Sequence, residues 1–311
     1  MPYVTDIFYN SRRLRAGWRL LLFLFVTVFT GLAFFWPVGA PLQWLLVKLL
    51  DPDPSRAQIL YEGILVPGLL AASWYMVVVI DRRPWRSLGL PWGQAYLRHF
   101  LWGCALGLAL IGSETLFALL FQAASWVPFV LDINTIKLLI FSLIAWLGVA
   151  LLEELFFRGY LLQTLIEGLG VAPALLLSSL LFGLMHYQNA PQHWLYVLDA
   201  GTLGLVMALM AFKTKALWLP IGFHFANDFF IDLFSWFPHP IPTSLQITAS
   251  DVILDIVFAL PLAALVFYSG RIRPTEEMSQ LFSNYLKPAH WGGRQALEEP
   301  VVDSGDRGQQ I

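Results

Sequence analysis

Charge is scarce in this sequence. Asp, Glu, Lys and Arg make up 13% of its 311 residues, where a soluble domain carries about 25%. So few charges cannot cover a water-facing surface, which excludes a soluble globular enzyme. A net charge of −2 leaves no basic footprint, so nucleic acid is not a partner. Cysteine is almost missing as well. The single residue, Cys104, lies inside an apolar run, which rules out a disulfide framework and a cysteine-based zinc site. No Gly-x-Ser-x-Gly elbow and no His-Glu-x-x-His pair occurs, so serine hydrolases of that design and thermolysin-like enzymes have no support. Internal repeats are absent.

What is present is apolar: 58% of residues are hydrophobic, and the mean hydropathy is +0.65. They fall in runs of about 18–25 residues, the length that crosses roughly 30 Å of hydrocarbon as helix. The sequence therefore predicts an all-α, polytopic integral membrane protein. Eight spans are read near 18–36, 61–80, 100–124, 137–158, 171–186, 194–212, 217–236 and 252–270. The first follows Arg12, Arg13, Arg15 and Arg19 and precedes Val38-Gly39-Ala40, as in a signal peptide. Its apolar stretch exceeds the usual signal core, so a retained helix is expected. Pro37, Pro41, Pro52 and Pro54 make 37–60 a loop with at most a short interfacial helix near 42–50.

Lys and Arg set the orientation. The N-terminal arm, the 81–99 loop, Arg158, the Lys213–Lys215 turn and the tail together hold 16 of the 19, leaving Lys48, Arg56 and Lys137 on the other side. Both termini are expected in the cytoplasm. Residues 1–130 read as N-terminal membrane helices and loops, 131–270 as a membrane core, and 271–311 as a polar, disordered cytoplasmic tail. Gly103 and Gly107 form a small-xxx-small pair suited to close helix packing.

Ionisable groups in hydrocarbon cost several kcal/mol, so each needs a reason. Glu153-Glu154-Leu155-Phe156-Phe157-Arg158 stands near the end of the fourth predicted span. Glu154 and Arg158 share a face at i, i+4 in the order favourable for an ion pair. Glu153, about 100° away, cannot share that partner equally. One carboxylate is then structural and one is left for general-base work; the plainer reading is a helix end reaching the headgroups. Phe182 and His186 lie one turn apart at the end of span five, where a histidine is either interfacial or catalytic. His224-Phe225-Ala226-Asn227-Asp228 puts three hydrogen-bonding side chains within five residues of span seven. Such spacing can also hold a metal. Glu114, Asp199 and Asp232 are single acids, read as structural partners.

The order Glu-Glu-x-x-x-Arg, Phe-x-x-x-His and His-x-x-x-Asn/Asp, carried by Glu153–Arg158, Phe182–His186 and His224–Asp228, resembles the CPBP intramembrane proteases. That family includes the type II CAAX prenyl endopeptidases and bacteriocin-processing or bacteriocin-immunity proteins. Asp81-Arg82-Arg83-Pro84 with Ser87-Leu88-Gly89-Leu90 is similar to the same family. The resemblance covers roughly 135–236 and implies an eight-helix-type endopeptidase with an intramembrane catalytic cavity among spans four, five and seven. It implies Glu153 as the water-activating base and His186 as its partner. His224 and Asp228 would stabilise the oxyanion or, with His186, bind a divalent metal such as zinc; Arg158 would be an essential structural or substrate-orienting cation. Where prenyl endopeptidases commonly have Asn, this chain has Asp228, with Asn227 beside it. The amide role falls to Asn227, to a neutral Asp228, or to neither if Asp228 is a ligand. The implied partners are a peptide or protein substrate, prenylated or otherwise membrane-associated, and the surrounding lipids. Two rival functions are a proton- or ion-coupled transporter, against which the lack of matching halves speaks, and a non-catalytic immunity or scaffold protein.

Overall fold

The computed structural model describes residues 9–10, 13–50, 60–120, 132–188, 193–235, 249–270 and 272–285. Among these, regular structure is helical apart from one two-residue antiparallel pairing of Tyr9–Asn10 with Arg13–Leu14. The helices are α1 (Ala16–Phe34), α2 (Ala40–Leu50), α3 (Val66–Trp74), α4 (Gln94–Leu120), α5 (Ile133–Glu154), α6 (Leu162–Leu169), α7 (Val171–Met185), α8 (His193–Thr214), α9 (Trp218–Ser235), α10 (Ala249–Tyr268) and α11 (Glu276–Tyr285). The chain is an all-α integral membrane protein. Five helices among the described residues are long and apolar enough to cross a membrane: Ala16–Leu50, Leu60–Ile80, Gln94–Phe117, Ile133–Leu169 and Trp194–Thr214. Val171–Met185 and Ile256–Tyr268 are apolar but shorter. Much of the outer surface is bare hydrocarbon, with Phe25 70% and Trp36 71% exposed on the first helix. Only lipid covers such a face without cost.

The structure corrects three boundaries. First, the helix does not stop at Pro37 but runs on to Leu50, because Pro37 sits in a π-helical turn, Phe35–Gly39, and Pro41 in the opening turn of α2. A widened turn and a first turn are the places where a missing N–H is tolerated. Second, α5 does not end at Arg158. It passes through a π-helical stretch, Leu155–Leu161, into α6, one helical rod from Ile133 to Leu169. Glu153 and Glu154 are therefore interior to a helix and do not mark its end. Third, the tail is ordered at its start. Helix α11 packs Met278 completely out of solvent, and Arg86 donates to Glu277 at 2.7 Å. The remainder of the predicted disordered tail and the 51–59 part of the predicted loop lie outside the described residues.

Helices in lipid gain little from hydrophobicity and associate by close packing. Backbone approach at glycine supplies it here. A Cβ on Gly103 would meet the Leu219 carbonyl at 2.2 Å, one on Gly107 the Phe223 carbonyl at 2.5 Å, and one on Gly222 the Phe100 carbonyl at 2.1 Å. Thus α4 grips α9 along one face. On the other side, Asp232 of α9 takes hydrogen bonds from Ser142 and from Trp146 Nε1 of α5, the structural partnership expected of that acid. A buried, charge-balanced network fastens the rest: Arg19 donates to Asp81 at 3.0 Å and to Glu167, and Arg83 to Asp81 at 3.2 Å and to Gln163 at 3.1 Å. It ties α1, the loop after Ile80 and α6 together behind the π-helical stretch.

Candidate active site

The three motifs meet. Glu153 and Glu154 come from the turn of α5 that leads into the π-helical stretch, His186 caps α7, and His224 and Asp228 lie one turn apart on α9. The i, i+4 spacing in α9 puts His224 Nε2 3.2 Å from Asp228 Oδ2. A Glu153 carboxylate oxygen lies 3.8 Å from His186 Nε2 and 3.7 Å from His224 Nε2. Those gaps exceed a direct hydrogen bond but suit groups that share a water.

Beneath this open layer is a closed one. Glu154 Oε1 accepts from Arg158 Nη1 at 2.6 Å and from His224 Nδ1 at 3.0 Å. Arg158 also donates through Nη2 to the Gly204 carbonyl at 2.9 Å and stacks 4.3 Å over the Phe182 ring. Gly204 has no Cβ for a reason of space: one would stand 3.1 Å from Phe182 and 3.4 Å from Arg158 Nη2. Burial separates the layers. Glu154 and Arg158 are 0% and 2% exposed, whereas the Glu153, His186 and Asp228 side chains keep 18%, 17% and 20%. One carboxylate is a counter-ion inside the protein; its neighbour keeps partial exposure, although the oxygen nearest the two histidines is buried and without a hydrogen-bond partner.

The hydrogen bonds also set the donors and acceptors. His186 Nδ1 lies 2.8 Å from the Phe182 carbonyl, which can only accept, so Nδ1 carries a proton and, in the neutral ring, Nε2 presents a lone pair toward Glu153. Both nitrogens of His224 face carboxylates, Glu154 on one side and Asp228 on the other; an imidazolium satisfies both. Asp228 Oδ1 also accepts from Asn227 Nδ2 at 3.2 Å, while Oδ2 is the oxygen that faces His224. Asn227 itself is 5% exposed, against the α4 interface at Gly107.

His186, His224 and Asp228 are the residues that would bind a divalent metal in one of the two roles the resemblance implies for them. Zinc requires nitrogen and oxygen donors converging on one point at about 2.0–2.2 Å. Among the described residues no group of three or more His, Cys, Asp or Glu side chains is arranged to hold a metal ion. As placed, His186, His224 and Asp228 are not gathered around one such point.

One further acid belongs to the surroundings and escaped the sequence reading. Glu62, at the start of the helix Leu60–Ile80, is within electrostatic range of Glu153, His186, His224 and Asp228. Its position two residues into an apolar run was the available signal, the same one that singled out Glu114.

A family model described as Rce1-like, "Type II CAAX prenyl endopeptidase Rce1-like", matches residues 135–230. All three motifs fall inside that segment, and the family is the one their order resembles. No curated protein and no solved structure matches the chain.

Proposed function

We propose, from a chain whose residues 135–230 match the Rce1-like type II CAAX prenyl endopeptidase family, that this protein is an intramembrane endopeptidase. Its substrates would be lipidated or membrane-associated peptides and proteins, cut by a glutamate-activated water. The observation that carries the reading is the meeting of Glu153, His186 and His224 within 3.7–3.8 Å on a partly open face, above a sealed Glu154–Arg158 pair.

In this mechanism a water beside Glu153 is oriented by the lone pair of His186 Nε2. Glu153 removes one proton as the water oxygen attacks the scissile carbonyl carbon. The carbonyl π electrons move onto oxygen, and that oxyanion shares the His224 Nε2–H with Asp228 in a three-centre hydrogen bond. Collapse of the tetrahedral intermediate breaks the C–N bond, and protonated Glu153 returns its proton to the leaving amine. The products are a carboxylic acid and an amine, with one water consumed. Glu154 holds His224 by Nδ1, Asp228 aligns Nε2, and Arg158 balances the charge of Glu154. These last three are positioning residues. A transporter reading has less support, since the ionisable groups of the three motifs converge on one another.

The test is hydrolysis by the purified chain in proteoliposomes, offered a farnesylated Cys-a-a-X peptide and an unlipidated apolar peptide. Fragments that together weigh one water more than a substrate are expected by mass spectrometry. Intact recovery of both peptides alongside well-folded protein would contradict the proposal.

A further inference from the structure

Glu62 stands outside the matched segment, yet the fold brings it to the site by a specific crossing. Its neighbour Gly63 passes Gly148 of α5 so closely that a Cβ on Gly63 would lie 3.0 Å from the Gly148 Cα, and one on Gly148 would lie 2.5 Å from the Gly63 Cα. Leu60 and Ile64 continue the contact onto Phe141 and Ala145. The crossing is five residues before Glu153, about 7.5 Å along the helix, within reach of a glutamate side chain. Glu62 is half-buried, and among the described residues its carboxylate makes no hydrogen bond or ion pair. Its strongest electrostatic partners are the four groups of the open layer.

The cations are distributed differently. Arg158 is the one Lys or Arg among the strongest electrostatic partners of Glu153 and Glu62. Its guanidinium is buried, with its Nη atoms held by Glu154 and the Gly204 carbonyl. The open layer therefore offers a substrate three partly exposed carboxylates, Glu62, Glu153 and Asp228, against the single imidazolium of His224, already shared with Asp228. Among the described residues, an incoming carboxylate would meet acidic groups and no free cation, whereas an ammonium or guanidinium would find unpartnered acceptors.

We propose that Glu62 is a specificity-determining residue, and that the site takes a peptide segment bearing a lysine or arginine beside the scissile bond in preference to one presenting a free carboxylate there. This rests on the proteolytic reading above, and it narrows the substrate class toward internal bonds next to basic residues.

The experiment uses full-length protein in nanodiscs and three labelled peptides with one apolar sequence, carrying Lys, Gln or Glu next to the central bond. Binding is read by anisotropy on the Glu153→Gln variant, where no turnover interferes, and cleavage on the unsubstituted chain. The lysine peptide should bind about tenfold more tightly than the glutamate peptide. Glu62→Gln should reduce that ratio several-fold, Glu62→Asp should retain it, and Glu62→Lys should invert it; thermal melting identifies any variant that is unfolded. Equal binding of the three peptides, or a ratio untouched by Glu62→Gln and Glu62→Lys, would overturn the assignment. Selective binding without cleavage by the unsubstituted chain would uphold Glu62 as the selector and remove the proteolytic reading alone.

Discussion

Glu153 and Glu154 differ by one position and by nearly everything around them. Glu154 is completely buried and receives both Arg158 and His224; Glu153 is part-open, and one of its oxygens has no hydrogen-bond partner. Their substitutions should separate accordingly. Glu154→Gln leaves Arg158 buried without its counter-ion, a change that costs about 3–5 kcal/mol, and should show first as a lower melting temperature in detergent. A Glu154→Gln protein as stable as the unsubstituted chain would contradict the sealed-layer role. Asp228 is a second case. Because its oxygens accept from Asn227 and face His224 Nε2, Asp228→Asn replaces a charge-assisted acceptor by a neutral one and should lower kcat about tenfold. Unchanged or higher activity would mean that Asp228 donates as a neutral acid. A metal-depleted, inactive variant beside a chelator-sensitive, zinc-rescued parent would mean that it is a ligand. The sequence made the Glu154–Arg158 pair legible through i, i+4 spacing alone. It could not decide Asp228, since donor and acceptor roles depend on what another helix presents.

At the scale of elements, helix existence was readable and helix ends were not. Each apolar run corresponds to a helix, but Pro37 and the Leu155–Leu161 stretch were misjudged because a π-helical turn absorbs a proline or a charged patch without breaking the rod. Helix α11 was missed for a different reason: its residues are polar and carry no apolar run, and it is held by tertiary contacts. One of these is measurable. Lys215, in the turn between α8 and α9, lies 3.6 Å over the Phe212 ring and 4.1 Å over Phe282 of α11. Burial pushes its pKa down from 10.5 to about 8. The unfolded chain then binds more protons than the folded one between about pH 8 and 10.5, so this residue makes stability rise with pH across that window and contributes no slope below it. Melting temperatures from pH 7 to 10 should rise more steeply for the unsubstituted chain than for Lys215→Met. Parallel curves would show that Lys215 is not desolvated by α11.

At the scale of the whole molecule, the bare apolar flank of α1 and the glycine-mediated grip of α4 on α9 belong to a protein assembled in lipid. The excess of Lys and Arg on one side leads us to propose that both termini are cytoplasmic. Cysteines introduced at positions 5 and 300, in a Cys104→Ala background, should resist a membrane-impermeant maleimide in intact cells and react once the cells are opened. Labelling of either from outside would reverse the orientation. Membrane residence followed from composition alone. The meeting of three distant helices at one cluster did not, because only the order of the motifs was visible and not the packing that closes them. Glu62, far from the motifs in sequence, shows that gap most clearly.

The central claim is that Glu153 activates the attacking water. Its most direct test is the single-turnover cleavage rate of Glu153→Gln against the unsubstituted chain, with folding checked by thermal melting in the same detergent. The substitution keeps the shape of the side chain and removes the base, so the rate should fall by about 10²- to 10⁴-fold while the melting temperature stays near that of the unsubstituted chain. A Glu153→Gln protein that cleaves as fast as its parent would contradict the mechanism.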